Sequence, residues 1–98
     1  MNHAEIFTEV VVAAQESALE ASKSKYEKGG GGVIISRTSP FSNYIITSRR
    51  GYPTTGGAYI PVPLKTDDFK VNRTAARAMA DVLRANNINC RVECYVDD

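Results

Sequence analysis

Acid is missing from one long stretch of this chain: between Gly29 and Leu64 there is no Asp or Glu. The same window carries Arg37, Arg49 and Arg50, with Tyr44, Tyr52 and Tyr59 interleaved among Ser, Thr and Gly. The flanking segments mix both signs, so the gap predicts a local surface suited to an anion or an acidic partner. Over the whole chain 12 basic side chains nearly balance 11 acidic ones, which argues against a general nucleic-acid coat.

Long apolar runs are lacking too. No segment approaches the roughly 18 consecutive apolar residues of a membrane span. The N-terminus, Met1-Asn2-His3-Ala4-Glu5, has no basic region and reaches an acid at once, unlike a signal peptide. Cysteine is scarce, at Cys90 and Cys94 only. On one strand their Cα atoms would lie about 13 Å apart, at roughly 3.3 Å per residue. A disulfide needs less than about 7 Å. The expectation is a reduced, cytoplasmic protein with no membrane partner.

Catalytic vocabulary is thin. The one histidine, His3, lies at the N-terminus, where a solvated side chain is expected, and no second is present for a Cys–His or Ser–His pair. The acids gather on the first helix or near the chain end, which supplies no obvious hydrolytic pair. Cys90 and Cys94 alternate with polar residues and have no CxxC or HxxxH beside them, so they read as small core hydrophobes. Gly29 to Gly32 follow a helix and precede a strand, the reverse of a phosphate loop. They read as a helix stop and a flexible joint. The expectation is therefore a non-enzymatic protein without metal or cofactor.

What is present describes one domain of 98 residues, with 43% hydrophobic and 23% charged residues, as in ordinary folded domains. Residues 3–28 read as a helix capped by Asn2, with Glu5 completing a near capping box and Lys23, Lys25 and Lys28 at the end. Ile6, Phe7, Val10, Val11, Ala14, Ala18 and Ala21 share one arc. Val12, Leu19 and Tyr26 fall outside it as a second seam, and predict self-association or partner docking.

Val33 to Arg37 reads as a strand, residues 38–43 as a turn, and Tyr44 to Thr47 as a second strand. Residues 49–57 form a loop, and the prolines of Ala58 to Leu64 suggest an edge strand. A second helix starts at Asn72 and ends at Asn86-Asn87. Ala75, Met79, Val82 and Leu83 form its apolar face, and Arg73, Arg77 and Arg84 the opposite one. In the last strand Ile88, Cys90, Val92, Cys94 and Val96 alternate with Asn89, Arg91, Glu93 and Tyr95, which predicts one buried face and one wet or partner-facing side.

The sum is an α+β two-layer sandwich: a small, mostly antiparallel sheet with two helices on one face, in the order α-β-β-(β)-α-β. The unit Ala75 to Val96 resembles the helix-strand unit of many small ferredoxin-like and peptidoglycan-binding repeat modules. It carries no diagnostic motif and implies no activity.

The functional expectation is a small binding protein of the inhibitor or accessory type. It would engage an acidic protein surface through Arg37, Tyr44, Arg49, Arg50, Tyr52 and Tyr59, joined by Arg73, Arg77 and Arg84. Guanidinium groups bind carboxylates and phosphates alike, so a nucleic-acid or nucleotide partner is the alternative. A small-molecule enzyme would need a pocket of perturbed titrating groups that the sequence does not display.

Overall fold

The computed structural model describes residues 2–21 and 27–97. Its elements are α1 (His3–Glu20), β1 (Lys28–Ser36), α2 (Pro40–Thr47), β2 (Tyr52–Thr54), β3 (Gly57–Pro61), α3 (Phe69–Ala85) and β4 (Cys90–Asp97). The strands form one antiparallel sheet in the order β2-β3-β1-β4. The expected class holds, with a third helix inserted after the first strand.

α1 begins as its sequence dictates. The Asn2 side chain accepts a hydrogen bond from the Glu5 backbone N–H at 2.9 Å, and its amide donates to the Glu5 carboxylate at 2.8 Å. The helix ends at Glu20, short of residue 28. Lys28 is already in β1, so it is not a helix-end cation; Lys23 and Lys25 lie outside the described residues. The four glycines are no joint either. They form the first half of β1, facing Glu93 to Val96 of β4. Backbone atoms of the neighbouring strands crowd Gly29, Gly31 and Gly32. A Cβ on Gly31 would sit 2.7 Å from the Cys94 Sγ.

The segment read as a turn and a strand is α2. Ser39 caps it by accepting from the Phe41 N–H at 3.3 Å, and Pro40 occupies its first turn. The β-branched run Ile45-Ile46-Thr47 favours a strand in isolation. The four-residue spacing of Phe41 and Ile45 wins, because it seats both rows in the core, Phe41 at 1% and Ile45 at 0% exposure.

The expected loop 49–57 contains β2 and a two-residue turn closed by Gly56 (φ 92°). β2 pairs outside β3, so β3 is an inner strand and Pro61 is tolerated as its last residue. α3 starts one turn before Asn72. Asp68 is the cap, accepting from the Val71 N–H at 3.0 Å. Asn72 is instead a buried tie, donating to the Gly29 carbonyl at 2.8 Å and the Thr66 carbonyl at 2.9 Å.

The core lies between the helices and one sheet face. Ile6, Val10 and Ala14 of α1, Ala75, Met79 and Leu83 of α3, and Phe41 and Ile45 of α2 meet Val33, Ile35, Ala58 and Ile60. α3 lies on β1 and β4, and α1 packs on α3. Register puts Cys90, Val92 and Cys94 on this face, as the alternation predicts, and the Cys90 thiol lies 3.8 Å from the Ala80 carbonyl. Both cysteines are free thiols. No helix among the described residues is long and apolar enough to cross a membrane.

Candidate functional site

The arginines expected to act together are dispersed. Arg37 is exposed in the turn after β1, where its N–H donates to the Gly56 carbonyl. Arg49 and Arg50 follow α2, and the Arg50 guanidinium lies 4.7 Å from the Phe7 ring centroid of α1. Arg73 lies over Phe69 at 5.2 Å, and its Nε is buried without a hydrogen-bond partner. Arg84 donates to the Cys90 carbonyl at 3.3 Å, while Arg77 is exposed. The α3 set thus runs along β4, with Arg77 and Arg84 exposed and Arg73 half-buried.

The aromatic candidates also separate. Tyr44 stacks on Phe41 with ring centroids 5.6 Å apart, and His3 lies 5.3 Å from Tyr44. His3 is half-buried in this cluster, not solvated as expected, because its ring packs against Phe41 and Tyr44 of α2. In the proposed α1 seam Val12 and Leu19 are exposed, Leu19 at 87%, and Tyr26 lies outside the described residues.

Tyr52 and Tyr59 do come together. They are opposed in the β2–β3 register, with ring centroids 5.3 Å apart. Both stand on the sheet face that points away from the core. Among the described residues no helix covers that face. A third tyrosine joins them there: Tyr95 of β4, opposite Gly30.

The floor between the rings is glycine. A Cβ on Gly30 would lie 2.6 Å from the Tyr95 hydroxyl, and one on Gly32 would lie 2.9 Å from the Tyr59 Cζ. The rings lean over these bare positions, an arrangement that protects glycine backbone in sheets. Gly30, Gly31, Tyr52, Tyr59, Pro61 and Tyr95 line a cleft of about 200 Å³, with Val62, Leu64, Thr66 and Asn72 also on its wall. A second cleft of about 360 Å³ opens towards the other end of the sheet, between Ile34, Ser36, Thr55, Asn89 and Arg91.

The electrostatics of the cleft centre on Tyr59. Burial first, then the neighbouring Tyr52, Tyr95, Cys94 and Glu93, push the Tyr59 phenol from its ordinary 10.0 up to about 12. It is a hydrogen-bond donor throughout the physiological range. Among the described residues the charges on this face include no cationic excess: Lys28 and Arg91 stand against Glu93 and Asp97, with Arg91 3.9 Å from Glu93 and Lys28 3.9 Å from Asp67. Tyr95 was absent from the expected set, although alternation already placed it beside Arg91 and Glu93 on the outer face. Among the described residues no group of three or more His, Cys, Asp or Glu is placed to hold a metal ion. Comparison with protein-family models, curated proteins and solved structures finds no match.

Proposed function

We propose that this chain is a non-enzymatic binding protein that takes an extended, proline-containing segment of a partner protein on its open sheet face. One observation carries the reading: three tyrosine rings converge over a glycine floor, on a face where the described residues bring no excess of cations. Aromatic-lined grooves accept polyproline-type segments, whose rigid backbone loses little entropy on docking. Phenol hydroxyls donate to the backbone carbonyls that such segments leave free.

The same face suits nucleic acid less well. Stacked bases bring phosphates, and phosphates require an excess of cations. Here Glu93 and Asp97 offset Arg91 and Lys28. The Arg50 guanidinium packs on Phe7 of α1, which favours the strands over the acid-free loop as the recognition surface.

The test is a nuclear magnetic resonance titration with a synthetic polyproline peptide and, separately, an oligothymidine. The peptide is expected to shift the resonances of Tyr52, Tyr59 and Tyr95. Tyr52→Ala should weaken it at least about tenfold, or roughly 1.4 kcal/mol. The pair Arg49→Glu and Arg50→Glu should leave it unchanged. Shifts confined to the arginine loop, or tighter binding of the oligonucleotide with a steep salt dependence, would overturn the reading.

A further inference from the structure

The two edges of the sheet are built differently. β2 is three residues long and contains Pro53, which blunts it against strand pairing. β4 is eight residues long, with neither proline nor glycine, and β1 is its one strand neighbour among the described residues. Backbone alternation decides which of its groups are free. The Asn89 carbonyl accepts from the Ser36 N–H at 2.9 Å, so Asn89, Arg91, Glu93 and Tyr95 point their backbone groups at β1. The N–H and C=O groups of Cys90, Val92, Cys94 and Val96 therefore point outward. Among the described residues only the Cys90 carbonyl has a partner there, the Arg84 guanidinium. The side chains above this edge are incompletely covered: Val92 and Cys94 are half-buried, and Val96 is 49% exposed.

We propose that β4 pairs antiparallel with β4 of a second copy of this chain, joining the two sheets across a two-fold axis at Cys94. Charge complementarity selects the occupant and the register. An axis at Glu93 would set Glu93 against itself. An axis at Tyr95 would set Glu93 against Asp97. An axis at Val92 would pair Arg91 with Glu93 but would need the Cys90 backbone, which Arg84 already engages. The axis at Cys94 leaves that contact alone and uses all of Arg91 to Asp97. It sets Arg91 opposite Asp97 of the other copy, twice, and Val92 opposite Val96, twice. The Arg91–Asp97 pairs fall at non-hydrogen-bonded positions, where Cα atoms approach to about 4.5 Å and side chains meet most closely. Self-association then belongs to β4, and not to the Val12 and Leu19 seam of α1.

Sedimentation of the whole chain tests this. The wild type is expected to sediment as a dimer. Arg91→Asp and Asp97→Arg should each weaken the dimer at least about tenfold, and the double variant should restore it. Val92→Pro removes one outward N–H and no bond to β1, so it should sediment as a monomer with an unchanged far-ultraviolet circular dichroism spectrum. Leu19→Glu should remain dimeric. A monomeric wild type at the highest attainable concentration overturns the proposal. So does dissociation by Leu19→Glu, or rescue of Arg91→Asp by Glu93→Arg in place of Asp97→Arg.

Discussion

Tyr95 lies across Gly30. The two are opposed in the β1–β4 register, and a Cβ on Gly30 would come within 2.6 Å of the tyrosine hydroxyl. The obstacle is the far end of a side chain that can swing away. At Gly32 the obstacle is the backbone carbonyl of Ile60, which cannot.

These two glycines should therefore differ on mutation. Gly30→Ala is expected to cost less than about 1 kcal/mol, since reduced unfolded-state entropy offsets part of the crowding. Gly32→Ala is expected to cost about 1–3 kcal/mol, the range for overpacking. Urea unfolding of both variants measures the difference, and equal costs would contradict the geometry.

Asn72 joins three segments by donating to Gly29 and Thr66 from the first turns of α3. Its removal leaves buried carbonyls without a donor. Asn72→Ala should cost about 1–3 kcal/mol. Asn72→Asp should cost more, because a carboxylate would then face two carbonyl oxygens. Chemical denaturation of the pair checks the order.

Tyr59 predicts an alkaline limit to stability. The folded phenol, raised to about 12 from 10.0, holds its proton more tightly than the unfolded one. Its contribution is complete below the unfolded value and is lost as pH rises from about 10 through about 12. Tyr59→Phe should flatten the fall in melting temperature over that window. It should also remove a step of tyrosinate absorbance near pH 12 in a spectrophotometric titration.

Arg49 and Arg50 are neighbours with opposite effects. Arg50 packs its guanidinium on Phe7, so Arg50→Ala should cost about 0.5–1 kcal/mol. Arg49 has a φ of 60°, a conformation that glycine adopts freely. Arg49→Gly should leave stability level or raise it slightly. Thermal melts of the single variants separate the two roles.

The sandwich, the helix-facing row Cys90, Val92 and Cys94, and the Asn2 cap were legible because each rests on a local rule: a spacing of two or a side chain that caps its own helix. The glycine strand was not. Local rules read four glycines as a break, and only β4 and β3, distant in sequence, supply the pairing that holds them extended. α2 was misread for a related reason. In eight residues the β-branched run outweighs one Phe41–Ile45 spacing until the core appears around both. Tyr95 was visible on the outer face of its strand, but its meeting with Tyr59 depends on register across β1. Register is a property of the assembled sheet.

The glycines also shape how the sheet comes together and comes apart. Val33 and Ile35 give the second half of β1 a fully buried grip, while Gly29 to Gly32 contribute backbone alone to the pairing with β4. Strand zipping is therefore expected to begin beside Val33 and Val92 and travel towards Lys28 and Asp97. Opening runs the other way, so amide hydrogens of the glycine half should exchange before those of the valine and isoleucine half.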